Sequence, residues 1–462
     1  MAHVEPQRIP LILTQENRDE TTKFDARIIN AYVEKDQSGD VWVVKRPGLV
    51  INSSIGASTG RGVYNWRQNV YSIRGATLYK DATPIAGTVD TTNGVYTFSA
   101  CLGATPKLFF QNGVKAYTYD SGAGLVQVTD AQYPSTAVKG VAYLDGTMYV
   151  MDIEGNIYGS DFNDPQSWTL SNLIKAQVEH DQGIATAKQL VYVVAFKEWS
   201  TEIFYDAANA SGSPLAPVQG GKLSYGCRVA ESVQDMDGVL FWVSATRSGA
   251  VGVMRMENIK SQTISTPSIE RLLQGVDFSV VYSWNAKRNG HKFYGITFKN
   301  SSLTLVYDDT TGEWAQWTDP AIVGNYMSIV SSTITVDSQE SLLQDESDGH
   351  IYTLEHSAYN DEGQLFTVDI YTPNYDAKTK KGKTVNKLYP IADQTAGSIL
   401  QVRYSDDDYE TWSNFIEVDL SQEAPYIPDM GTFKRRAHHL RHHCNTAFRI
   451  KYLEWHGLLG VL

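Results

Sequence analysis

Histidines and a cysteine crowd the last part of the chain: His438, His439, His442, His443, Cys444 and, further on, His456. On a helix, His438 with His442 and His439 with His443 would stand one turn apart, the arrangement that brings two imidazoles to a zinc ion. On a strand the same residues divide between faces. His438 and His442 then share a side with Leu440, while His439 and His443 share the other with Arg441, so neither face holds a four-ligand set. The flanking sequence favours strand, because Cys444-Asn445-Thr446 reads as a hairpin turn into the run Phe448 to Trp455. No metal ligands are therefore assigned. The surrounding residues are basic, and Lys434, Arg435, Arg436, Arg441, Arg449 and Lys451 form a candidate interface suited to an acidic partner surface.

A second constellation is acidic. Ser405-Asp406-Asp407-Asp408-Tyr409-Glu410-Thr411-Trp412 is similar to the Asp-box of sialidases and other propellers, S-x-D-x-G-x-T-W, with Tyr409 at the glycine position. Such a box stabilises a turn: its carboxylate accepts local backbone N–H groups and its tryptophan packs beneath. Asp406 to Asp408 offer oxygen ligands for a hard cation, but the spacing is not that of a calcium loop, and a solvated turn is the simpler reading. For catalysis there is no G-x-S-x-G elbow, no H-E-x-x-H and no P-loop. A glycosidase needs two carboxylates facing each other across the substrate, and among 52 acidic residues no pair stands out. The expectation is a protein that is not an enzyme, with no catalytic residue and no cofactor.

The elements that must position these groups are strands. Hydrophobic residues make up 42% and aromatics 11%, with 27 tyrosines and 36 glycines, a mix that suits half-buried pleated surfaces and frequent turns. A formal net charge of −13 argues against tight wrapping of nucleic acid, which needs a surplus of Lys and Arg. Cys101, Cys227 and Cys444 are odd in number and far apart, so a disulfide framework is not expected. The start of the chain lacks a basic n-region, its apolar run Ile9 to Leu13 is broken by Pro10, and no stretch is long enough for a membrane span.

One unit recurs. In Lys139 to Thr169 the runs Val141 to Leu144, Met148 to Met151 and Ile157 to Ser160 are strands, separated by Asp145-Gly146 and Glu154-Gly155-Asn156 and ended by Asn163-Asp164-Pro165. Its third strand carries an apolar–aromatic or apolar pair that returns at Leu78-Tyr79, Ala116-Tyr117, Ile157-Tyr158, Ile203-Phe204, Val253-Met254, Val306-Tyr307 and Ile351-Tyr352. The repeat is roughly 40 to 50 residues, that of a propeller blade. A lone meander cannot bury both its faces, so several must pack together. The predicted fold is all-β, with an arm and strand over 1–57, a β-propeller of six or seven blades over 58–356, and a smaller sandwich-like β domain over 357–462. A pair of irregular β-sandwiches is the alternative. Residues 1–22 read as an extended arm, Val41 to Val44 as a strand, Ala207 to Gly221 as a surface loop, Pro267 to Gln274 as a helix, and Lys378 to Lys387 as a basic segment without pattern. In the last domain, strands are expected at Leu365 to Tyr371, Ile399 to Tyr404, Phe415 to Leu420, Arg435 to His443 and Phe448 to Trp455.

Ile9-Pro10-Leu11, the segment from Arg61-Gly62-Val63-Tyr64 through Asn69-Val70-Tyr71 to Leu78-Tyr79-Lys80, Ser268-Ile269-Glu270 and the closing strands around Arg435-Arg436 resemble the packaged-DNA stabilisation proteins of short-tailed, podovirus-type bacteriophages. These are tail hub or nozzle proteins. The resemblance implies a structural virion protein, six copies of which form a ring that extends the DNA channel below the portal and its adaptor. It further implies retention of the packaged genome and anchoring of a distal plug or needle and of receptor-binding spikes or fibres. Expected partners are other copies of the chain, the adaptor, the plug and the spike or fibre protein, with transient non-specific contact to genomic DNA. The expected location is the virion tail, assembled in the host cytoplasm. A closed propeller with few free strand edges suits such a ring, as do head-to-tail contacts that close. Rival readings are a sialidase-like glycan-binding or glycan-cleaving propeller and a cytosolic scaffold that recruits peptides. If the histidines alternate on a strand, elemental analysis of purified protein should find well under one zinc per chain, and a tightly held full equivalent would overturn that assignment.

Overall fold

Successive side chains of a strand point to opposite faces, so a strand buried on both faces reads as an unbroken apolar run. The second strands of blades two, four and five obey this rule. In the computed structural model, which describes residues 2–3, 6–11, 25–36, 38–320 and 326–460, Phe110 packs toward blade one while Phe109 packs toward blade three. Val193 and Val194 divide in the same way, as do Phe241 and Trp242. Seven blades result, over 60–84, 97–127, 142–175, 183–223, 234–263, 281–316 and 329–355, and all seven expected pairs lie in the third strand of their blade.

Turn chemistry sets the meanders. Asp145 and Gly146 both adopt left-handed backbone, with φ of 46° and 91°, as a two-residue hairpin turn requires. At the next turn the Asp152 carboxylate accepts the N–H groups of Glu154 and Asn156, each at 2.9 Å. The third strand, Asn156–Asp161, ends before Asn163 as expected, but Pro165 does not break the ladder: Asp164–Lys175 is a fourth strand, tolerating Pro165 because it is the outermost. Ala207 to Gly221 needs a similar correction, since Leu215–Leu223 is the bulged fourth strand of blade four and only the residues before it form a connector.

The propeller closes with a strand that precedes its first blade. Gly48–Ser53 pairs antiparallel with Ile351–Glu355 as the fourth strand of blade seven. Blades one and seven are also tied by Gly62 N–H to Gln344 Oε1 at 2.7 Å and by Asn65 N–H to Thr333 Oγ1 at 2.9 Å.

The second unit is a sandwich built from both ends of the chain. One sheet has the order Ile427–Phe433, Lys383–Ala392, Arg449–Leu459, Val41–Lys45, Ala31–Lys35, with Gln7–Pro10 and Ala2–His3 added beside Arg449–Leu459. Among its described residues the arm pairs with the C-terminal strand over Ala2–His3 and Gln7–Pro10, with Ile9 buried; residues 1, 4–5 and 12–24 lie outside the described residues. The other sheet continues blade six: Glu313–Gln316, Arg27–Ile29, Val368–Tyr371, Ala437–His442, Ile399–Ser405, Ile416–Asp419. Two expectations change here. Cys444-Asn445-Thr446 is not a hairpin turn, because the strands it joins lie in different sheets. Lys378 to Lys387 is patterned in its second half, where Val385 and Leu388 face the core from the strand Lys383–Ala392. The helix is found at Pro267–Gly275, capped by the Thr266 hydroxyl and buried through Ile269, Leu272 and Leu273.

Arg46 joins the two units. Its side chain is fully buried, and all five N–H groups are used: Nε to Asn30 Oδ1, Nη1 to Pro47 O and Asp361 Oδ1, Nη2 to Thr318 O and Asp361 Oδ2. Phe366 covers the guanidinium at 3.8 Å. Replacing Asp361 with Ala would leave that charge buried and unanswered, which costs about 3–5 kcal/mol. Chemical denaturation should show that loss, and Arg46→Met with Asp361→Ala together should cost less than the sum of the two single changes. Strict additivity would show that the two side chains do not act as a pair.

Candidate functional site

The propeller axis is the first place to look for chemistry. Inner strands of all seven blades line a cavity of about 440 Å³, contributing Tyr64, Phe98, Tyr143, Lys188, Asp235, Asn285 and Ser332 in turn. Lys188 and Asp235 come from neighbouring blades, and burial raises the Asp235 pKa. Among the described residues, Asp235 is the one carboxylate in the lining, so no pair of carboxylates faces the cavity. A B-form duplex, whose major groove alone is about 12 Å wide, does not fit in this space.

His438, His439 and His442 lie on the strand Ala437–His442, as expected, and His443 follows its end. His438 and His442 point into the sandwich core. Burial drives both imidazoles down to about 3, helped by Arg436 beside His438 and by Lys45 and His443 beside His442. His442 stacks on Phe448 at 4.5 Å and meets the Ser398 hydroxyl at 3.0 Å. His439 faces the other way, 2.6 Å from Asp369, while His443 is exposed beside Thr367. Among the described residues no group of His, Cys, Asp or Glu is placed to hold a metal.

The three aspartates of the Asp-box-like turn have separate partners. Asp407 holds the turn, accepting the Thr411 N–H at 2.9 Å and the hydroxyls of Thr411 and Ser405. These bonds, the Thr411 hydroxyl first, bring its pKa down to about 2. Asp408 and Tyr409 have φ of 62° and 68°, which explains how the box forms without its glycine. Asp406 binds Arg436 through two contacts, at 2.7 and 2.8 Å, and Asp408 pairs with Arg435.

Those pairings alter the basic candidates. Arg436 is 1% exposed, bonded also to Met430 O and stacked over Tyr404, so it is a core residue and not a surface for partners. Arg441 pairs with Asp369 at 2.8 Å. Arg449 lies over Trp42, near Glu34 and Asp393, and Lys451 pairs with Asp40. These last two sit on the opposite sheet from Arg441. Of the six, Lys434 is exposed and has no ion pair among the described residues. The sequence reading missed a row across the sandwich face. Arg27 lies over Tyr371 at 3.9 Å, Tyr371 stacks on His439 at 3.9 Å, Arg403 Nε donates to His439 Nδ1 at 2.8 Å, and Arg403 covers Phe415 at 4.5 Å. Only the pairing of distant strands aligns these residues, so no local signal marked them.

The buried histidines make stability depend on pH. Their folded pKa values lie below the unfolded value of about 6.5, so the unfolded chain takes up protons that the folded chain refuses. Stability is therefore full above about pH 6.5 and falls as pH drops toward 3, by up to about 1.4 kcal/mol per pH unit per histidine. In denaturation measured at pH 6, 5 and 4, His438→Leu should show a correspondingly shallower decline. An unchanged slope would mean that His438 titrates normally.

Known proteins can now be compared with this geometry. No curated protein matches the chain. Among solved structures, the N-terminal domain of Nup159 is 8% identical, covering 72% of this chain and 99% of its own, with a TM-score of 0.42. YCF48 bound to D1 peptide is 13% identical over 67% of this chain and 98% of its own, with a TM-score of 0.40. Neither likeness bears on function. The model of the phage-stabilisation family, described as bacteriophage P22 Gp10, β-propeller, matches residues 7–356, the stretch that runs from the strand Gln7–Pro10 to the close of blade seven. The chain belongs to that family of structural, DNA-stabilising phage proteins.

Proposed function

We propose that copies of this chain, six by the resemblance noted above, form a nozzle ring in the tail of a short-tailed phage, with the genome held in the lumen between them. The observation that carries this reading is the narrow propeller axis. On this reading the DNA-stabilising role is to enclose a duplex, and among the described residues the propeller axis holds only a cavity of about 440 Å³, so several chains build the channel. The rigid join of propeller to sandwich supports the reading, because a ring under internal pressure needs subunits that do not hinge. Further support comes from the end of the blades where strand one turns into strand two and strand three into strand four. Leu102 and Phe162, 72% and 75% exposed, lie there with Leu190, Val191 and Val336. Exposed apolar side chains at that end suit a protein interface, here with the adaptor or with the distal plug and spikes, although Val114, Ile153 and Val178 are exposed at the opposite end as well.

A glycan-cleaving propeller is less well supported. The Asp-box-like turn lies in the sandwich, and its central carboxylate is occupied by the turn itself. Particles assembled without this protein should package DNA, lack the distal tail and release their genome. Filled, stable, tailed particles made in its absence would overturn the hub reading.

A further inference from the structure

A cationic surface lies at the far end of the sandwich. Lys378, Lys380 and Lys381 are exposed on the loop before the strand Lys383–Ala392, and Lys434 is exposed just after the strand Ile427–Phe433. A buried lysine holds these two loops together. Lys383 is inaccessible to solvent, and its ammonium donates to Thr379 O at 2.5 Å, Lys381 O at 2.9 Å and Lys434 O at 2.6 Å. Its three hydrogens are all used on main-chain oxygens, so it staples the loops and leaves the other four cations facing water.

The loop is built to present them. Ala377 and Lys378 both have left-handed backbone, φ 51° and 55°, and the Asp376 carboxylate accepts the Lys378 N–H at 2.8 Å. None of the four exposed ammonium groups has an ion pair among the described residues. In contrast, Arg435, Arg436, Arg441 and Lys451 are each matched by an aspartate. The patch therefore keeps its charge in a chain whose formal net charge is −13.

Its composition selects the partner. Protein interfaces are depleted in lysine and want aromatic or aliphatic anchors at their centre, and residues 376–382 and 434–435 contain none. A phosphodiester backbone asks only for point charges on flexible stems, with no sequence reading. The position also fits. Lys383 pairs with Leu459, at the opposite end of the 11-residue strand from Arg449, whose partner Val44 leads into Arg46. That strand is roughly 35 Å long, so the lysines project away from the join with the propeller.

We propose that Lys378, Lys380, Lys381 and Lys434 form a phosphate-contacting surface for double-stranded DNA. This rests on the reading of a channel that holds DNA and deepens it: contact is weak and sequence-independent, made by one small patch on a chain of formal net charge −13. Such an arrangement grips a duplex lightly without arresting its passage.

The test uses the full-length protein and a fluorescent duplex of arbitrary sequence, titrated across a series of salt concentrations. Wild-type binding should weaken steeply with salt, since each phosphate contact contributes about 0.9 to the slope of log K against log salt. Replacing all four lysines with Gln should reduce low-salt affinity at least tenfold and remove about three units of slope or more, with the thermal midpoint unchanged because the side chains are exposed. Replacing them with Arg should preserve binding. Equal affinity and slope for wild type and the Gln variant would overturn the proposal, as would a wild type that binds no duplex at low salt. If the Gln variant instead loses self-assembly while its duplex affinity is unchanged, the surface serves an acidic protein partner and the DNA assignment is wrong. Each of these results leaves the hub reading to its own measurement on particles.

Discussion

A guanidinium excluded from water is tolerable only if its charge and all five of its N–H groups are answered. Arg46 meets that condition by drawing together segments that are remote in sequence: Asn30 from the first strands of the sandwich, Pro47 at the entry to the propeller, Thr318 after blade six and Asp361 after blade seven. No two of the structural units can part without exposing an unpaired buried charge. The propeller's closing strand, Gly48–Ser53, begins two residues beyond Arg46, and Asp361 Oδ1 also accepts the Leu49 N–H. Ring closure and domain docking are therefore one event energetically.

The same economy governs the surface. A chain this acidic has few cations to spare, and most of those in the C-terminal part are committed to internal partners. Arg436 supports a turn, Arg441 and His439 share Asp369, and desolvation of that carboxylate is outweighed by these two neighbours, which hold its pKa low. In that part of the chain, Lys378, Lys380, Lys381 and Lys434 are exposed and have no ion pair among the described residues. The propeller axis, a cavity of about 440 Å³ lined by inner strands, is a packing consequence of seven blades and does not admit a duplex.

Much of this was legible in the chain. The seven third-strand pairs, the helix Pro267–Gly275 and the turns at Asp145-Gly146 depend on alternation, capping and left-handed backbone, all properties of residues within a few positions of one another. The histidines followed for the same reason: alternation alone separates His438 from His439. Errors arose where a local sign was overruled by a distant partner. Pro165 reads as a strand stop, yet an outermost strand has an edge on which a missing N–H costs nothing. Ala207 to Gly221 shows no period because its first part is a connector and a bulge interrupts the strand that follows.

By itself, then, the sequence determined the repeating unit, its turn chemistry and the all-β class, since these are set by short-range sterics and by the two-residue period of a strand. Only the tertiary structure decided that a strand from before the first blade closes the seventh, that both chain ends build one sandwich, and that Arg46 lies in the core with Asp361, from a segment that reads as a hydrophilic break. It also decided which basic residues are spent and which are free. The physical reason is that ladder hydrogen bonds and buried ion pairs join groups hundreds of residues apart, and periodicity reports that a residue faces a partner without naming which one.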